Sequence, residues 1–327
     1  MVAVTGLGSL PGVDLPAALR FALEGPEQAR RYLPYLPELP ARGPWAGMIG
    51  RGTALLSGLA VELSAGEWRL AGTPGIDHRR ARATLRDDVD RLEEVAADLA
   101  GPLTLSMVGP LTLAASLFRP LGGRVVGDRG ARRDVAQSLA EGVSQLRDDL
   151  VRRLPALELA VQVDEPSLPA VLAGRVPTEG GFFRHRSVGE AEAADYLAAI
   201  GAAAASRALH CCAPGLDLEL VRRGGFEGVS LDAGLVTDWD GIAGWLDQGR
   251  ILVLGCLPAT SPVTDTADTV ARRVLGVLRP LGLGPAILER LTLTPACGLA
   301  GVSTREASTA MAALARAASI VEDELHR

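Results

Sequence analysis

The stretch ARRDVAQSLAEGVSQLRDDLVRRLPALELAVQVDEPSL, residues 131–168, decides the fold class. Val135, Leu139, Val143, Leu146 and Leu150 recur at spacings of four and three, one apolar stripe along a helix from about 131 to 154. A tight break at Pro155 follows, then the apolar run Leu157 to Val163, which reads as a strand and closes on Asp164-Glu165-Pro166. A long amphipathic helix feeding a short buried strand is half of a βαβ unit, so the question becomes how often the unit repeats.

Working outward, it repeats along the whole chain. Val2 to Leu7 is the first candidate strand, followed by a helix at 13–24. The proline-rich Tyr32 to Pro40 offers a short second strand, and Leu103 to Val108 a third, preceded by a charged helix at 80–100. After the fourth strand at 157–163 come an alanine-rich helix at 189–205 and strands at Arg207 to Cys212, Gly228 to Asp232, Ile251 to Cys256 and Leu291 to Ala296. Helices are expected between them at 215–223, 238–248 and 263–290, and a last one at 304–324. The alternating AVELSAGEWRLAG places a hairpin excursion within 53–72. Eight strands alternating with helices predict a (β/α)8 TIM barrel. No linker or shift in composition marks a boundary, so a single domain with an N-terminal hairpin excursion is expected over the 327 residues.

Composition narrows the function. Hydrophobic residues are 48% and charged residues 22%, as in a folded globular chain. The net charge of -6, with 39 acidic against 33 basic residues, disfavours a nucleic-acid binder, and aromatics at 4% disfavour base stacking. Four cysteines are too few for a disulfide framework of this size. The opening MVAVTGLGSLPG lacks the basic region of a secretory signal, and no apolar run is long enough to span a membrane. The expectation is a cytoplasmic, reduced protein with no membrane or nucleic-acid partner.

The chemistry-bearing residues gather at strand ends. His210 and Cys212 in ALHCCAPG lie two apart and share one strand face, with Cys211 on the other. Asp232 ends the next strand, and Cys297 ends the last, in TLTPACGLAG. In a barrel these tips share the C-terminal rim, where active sites are built. One imidazole and two thiols suit Zn²⁺ with an exchangeable fourth position, although a bare H-x-C is equally compatible with packing. Cys256, in an apolar setting, reads as buried.

These pieces resemble the catalytic half of cobalamin-independent methionine synthase, in the group that includes uroporphyrinogen decarboxylase. The matching motifs are GLGSLPG (6–12), VGPLTL (108–113), VQVDEPSL (161–168), LHCC (209–212) and PACGL (295–299). The resemblance implies a zinc-dependent transfer of a methyl group to the thiol of homocysteine, giving methionine. It implies that His210, Cys212 and Cys297 bind zinc. The family's fourth ligand is a glutamate at the end of the sixth strand, where Asp232 stands, as a shorter ligand or a strand-end cap. It implies that Asp164 holds the substrate ammonium, with Glu38 of LPELP as a second partner, and that Ser9 meets the carboxylate. By local chemistry Ser9 also suits a helix N-cap, and Glu165 an ion pair with an arginine. After the seventh strand the folate-using family carries an Asp-x-His element, whereas LVLGCLPATSPVTD (252–265) has no histidine. That departure raises the expectation of a methyl-corrinoid donor, free or on a corrinoid protein, beside methyltetrahydrofolate. Competing expectations are alkyl transfer to another thiol such as coenzyme M, and a non-catalytic zinc- or thiol-binding barrel.

Overall fold

The computed structural model describes residues 1–202 and 206–327. Seven parallel strands form one curled sheet in the order β1 (Ala3–Val4), β9 (Leu291–Pro295), β8 (Ile251–Leu257), β7 (Gly228–Asp232), β6 (Ser206–Cys211), β5 (Leu157–Asp164) and β4 (Gly101–Val108). From β4 to β9 each strand lies beside the next one in the chain, and β1 closes on β9. The fold is thus α/β and TIM-like, with helices packed outside the curl. Leu103, Val161, Leu209, Val229, Leu252 and Leu293 are all buried on these strands, and one continuous apolar cluster runs from Val2 to Val321.

The second expected strand is not a ladder strand. Tyr32 to Glu38 instead joins the two sheet edges by isolated parallel bridges, each a pair of backbone hydrogen bonds. Leu33 donates to the Val4 carbonyl at 2.9 Å, Leu36 to that of Thr104 at 2.9 Å, and Glu38 to that of Gly8 at 3.1 Å. Pro34 and Pro37 have no N–H to give, so a continuous ladder cannot form there. The bridging still sets Glu38 beside Ser9, paired in parallel.

The hairpin is smaller than expected: β2 (Ala60–Ser64) pairs antiparallel with β3 (Glu67–Ala71), while residues 53–54 close a short helix, α2 (Met48–Ala54). The remaining helices are α1 (Leu15–Glu24), α3 (Ile76–Val95), α4 (Pro110–Ser116), α5 (Arg129–Arg153), α6 (Leu168–Leu172), α7 (Glu190–Gly201), α8 (Leu218–Arg223), α9 (Trp239–Asp247), α10 (Ala267–Leu278) and α11 (Thr304–Leu325). The helix expected over 189–205 ends its described part at Gly201; positions 203–205 lie outside the described residues. The helix expected over 263–290 stops at Leu278 and gives way to two 3-10 turns, because Pro280 and Pro285 interrupt it and Gly282 and Gly284 take positive φ (65° and 60°). No described helix is long and apolar enough to cross a membrane.

Candidate active site

Register brings the site together. Asp164 on β5 pairs with His210 on β6, and His210 pairs with Ser230 on β7, so three side chains line up across adjacent strands near the C-terminal rim. Cys212 is the first residue past β6, and Cys297 lies two residues past β9. Among the described residues, His210, Cys212 and Cys297 form a group whose ligand atoms lie within 4.8 Å of one another. The two Sγ atoms are 3.7 Å apart. Two thiolates on one tetrahedral zinc, each at ~2.3 Å, stand ~3.8 Å apart, so the donors present fit that ion in kind and in spacing.

The imidazole is oriented from behind. His210 Nδ1 is 2.9 Å from Ser230 Oγ, and both side chains are buried. That contact occupies Nδ1 and leaves Nε2 as the free ring nitrogen, the arrangement by which second-sphere partners fix a histidine ligand. The two thiols are hydrogen-bonded to each other. The hydrogen bond between them, together with His210, pulls Cys297 well below the usual thiol range and pushes Cys212 up. A thiol lowered in this way is the better ligand of the two. The Sγ of Cys211 turns away to the Ala213 carbonyl, and that of Cys256 to the Thr294 carbonyl. Burial pushes these two thiols up to about 11 and about 12, and neither joins the group.

Two buried carboxyls lie beside the group. Asp164 is 7% exposed, and burial pushes it up to about 7, opposed by His210 and by a 2.8 Å hydrogen bond from Gln162. Glu38 is 4% exposed and is likewise raised by burial, opposed by the Arg51 guanidinium, whose Nε lies 3.1 Å from its Oε1. Two acids sunk this deep, with one arginine against Glu38, make surroundings suited to a cation.

Ser9 is not a helix cap. Asp14 caps α1, while Ser9 packs on the glycine that follows Cys297: a Cβ at Gly298 would overlap Ser9 Oγ. The Ser9 carbonyl accepts from Leu299 N–H at 2.8 Å. Glu165 has no arginine partner among the described residues. Its carboxylate accepts from the N–H groups of Leu111 and Thr112 and from the Thr112 hydroxyl, which ties β5 to the start of α4. Asp232 stands at the tip of β7, but its Oδ1 accepts from Gly234 N–H at 2.8 Å and its carboxylate lies outside the His-Cys-Cys group. In this arrangement it caps its own loop rather than completing a four-ligand set, since an Asx turn holds the short side chain against the backbone. Ser230, Gln162 and Arg51 escape a reading of the sequence. Their signals are weak: a serine and a glutamine inside apolar strands, and an arginine between two glycines.

A curled parallel sheet with an imidazole and two thiols at its C-terminal rim defines a TIM-like protein with a potential metal centre. The family model for the catalytic domain of cobalamin-independent synthases matches residues 113–320, and the chain belongs to that family. Among solved structures, the chain is similar to a B12-independent methionine synthase from Shewanella sp. W3-18-1 in complex with selenomethionine, with a TM-score of 0.63 and 14% identity over 99% of this chain and 98% of that one. At that identity the likeness speaks for the fold. No curated protein matches the chain. The corrinoid donor finds no support here, because the family matched is the cobalamin-independent one. The missing loop histidine alone is too thin a basis for it.

Proposed function

We propose that the protein is a zinc-dependent methyltransferase that moves a methyl group from methyltetrahydrofolate to the thiol of homocysteine, giving methionine. The observation that carries this reading is the convergence of His210, Cys212 and Cys297 within 4.8 Å in a chain of this family. Zinc, held by these three, would supply the positive charge that keeps a substrate thiol as thiolate at neutral pH. Ser230 orients His210. The product-like selenomethionine in the Shewanella relative agrees with an amino-acid thiol as acceptor.

The chain's own groups then bind and orient. Asp164 and Glu38 receive the ammonium, where a buried carboxylate makes charge-assisted hydrogen bonds. Ser9, beside Cys297, meets the carboxylate end. Together they aim the sulfur at the donor methyl in line, and the S–CH₃ bond forms as the N–CH₃ bond breaks. The thiol gives up its proton, and the departing nitrogen takes one. Asp232 would have to give up its bond from Gly234 N–H to serve as a further donor to the ion. In the loop after β8, Asp265 is ion-paired with Arg273 at 2.8 Å. The buried acids argue against coenzyme M, which has no ammonium to offer them. We read the chain as one domain, a (β/α)8 barrel with residues 32–38 in the eighth strand position, working in the cytoplasm with free thiols.

The deciding assay is methionine formation from homocysteine and methyltetrahydrofolate by protein reconstituted with zinc. Zinc-dependent turnover supports the reading. No turnover with full zinc occupancy and bound homocysteine would overturn it.

A further inference from the structure

A line of alternating charge runs inward from α3 to Glu38. Asp88 on α3, 1% exposed, receives Arg42 Nη1 on Oδ1 and Arg51 Nη1 on Oδ2, each at 2.6 Å. Arg51 is itself buried and turns its Nε to Glu38 at 3.1 Å. The four groups sum to no net charge, with Arg42 at the outer end and Glu38 at the inner end beside Ser9.

Local sequence is built to deliver this arginine. Arg51 sits between Gly50 and Gly52 on α2. A Cβ at Gly50 would overlap the Pro44 carbonyl, and one at Gly52 would overlap the Val108 side chain. Both glycines let α2 press against β4 and the preceding loop, and that close approach carries the guanidinium to the sheet interior. Asp88 already has Arg42, so Arg51 is not needed to neutralise it. Asp88 instead anchors one edge of a planar fork whose other edge meets Glu38. A guanidinium spanning two carboxylates has one orientation, which a lysine cannot reproduce. A buried carboxylate without such a partner takes up a proton or turns away.

We propose that Arg51 is the positioning residue of the amine subsite: anchored on Asp88, it holds Glu38 as a fixed carboxylate toward the substrate ammonium and so makes the protein prefer amino-acid thiols over thiols that lack an amine. This rests on the reading that Glu38 and Asp164 receive that ammonium.

The test compares dissociation constants, by calorimetry, for homocysteine and for 4-mercaptobutanoate, the same chain without the amino group. Zinc-loaded wild type, Arg51→Met, Arg51→Lys, Glu38→Gln and the Arg51→Met/Glu38→Gln double variant are measured, with a melting temperature for each. Arg51→Met should weaken homocysteine about ten- to a hundred-fold, the worth of a charge-assisted bond, and leave 4-mercaptobutanoate unchanged. Arg51→Lys should recover part of the loss, and the double variant should be no worse than the worse single one. A folded Arg51→Met with wild-type preference, or an equal loss for both ligands, overturns the proposal. If Arg51→Met does not fold, a folded Asp88→Asn must show a reduced preference, and an unchanged one overturns it. A wild type without any preference overturns the amine reading itself, whereas a preference kept by the variants overturns only the part assigned to Arg51.

Discussion

Replacing Asp164 with asparagine removes one charge and almost no volume, which makes it the sharpest probe of the site. The carboxyl is buried, and its Oδ1 accepts from Gln162 Nε2 at 2.8 Å. The amide introduced by Asp164→Asn must therefore turn its oxygen toward Gln162 and its NH₂ toward the ligand. A substrate ammonium then meets donors where it had met a carboxylate. The loss is a charge-assisted hydrogen bond, roughly 1.5–3 kcal/mol, and the facing donor pushes it toward the upper end. That corresponds to homocysteine binding weaker by roughly ten- to 150-fold. Zinc content should stay at the wild-type level, because Asp164 is not in the His-Cys-Cys group. Calorimetric titration with homocysteine, beside elemental analysis of the same preparation, measures both. An unchanged dissociation constant would remove Asp164 from the amine subsite. A lost metal would mean that it supports His210 rather than the substrate.

His210→Ala and Cys297→Ser should each lower bound zinc sharply, whereas Cys211→Ala should keep it; elemental analysis after dialysis reads all three, and a metal-free Cys211→Ala would reverse the assignment of faces on β6. Gly298→Ala should push Ser9 away from the Cys297 loop, since the new Cβ overlaps Ser9 Oγ; weaker homocysteine binding with unchanged zinc is expected, and equal binding would show that Ser9 plays no part. Glu306, drawn down to about 2 chiefly by the Ser303 hydroxyl and N–H in a capping box that also ties the loop at Ser261, lies below its unfolded value, so its contribution is present above pH ~4.5 and is lost as pH falls toward 2. Glu306→Gln should flatten that part of the melting temperature against pH, and an identical acid limb in the two proteins would refute it.

The strands are legible in residue order because each is a short apolar run bounded by turn residues, a purely local signal. The expected bounds of β7 match to the residue, and those of β4, β5, β6, β8 and β9 to within two. The proline-broken segment at 32–38 misleads for the same reason: apolar alternation is local, but ladder formation needs N–H groups that Pro34 and Pro37 lack. His210, Cys212 and Cys297 are visible as residue types at strand ends, and alternation puts Cys211 on the other face, where its Sγ turns to the Ala213 carbonyl. Whether the last of them, 85 residues from Cys212, comes within 3.7 Å of it is for the curl of the sheet to decide. The state of Asp232 likewise belongs to tertiary structure, since a strand-end carboxylate can serve its own turn or a neighbouring strand, and only the surrounding backbone chooses. Arg51 is the least legible. Its part depends on Asp88 from a separate helix, on the bare backbone of two glycines and on a Glu38 held in place by single bridges, contacts between segments that leave no periodicity in the chain.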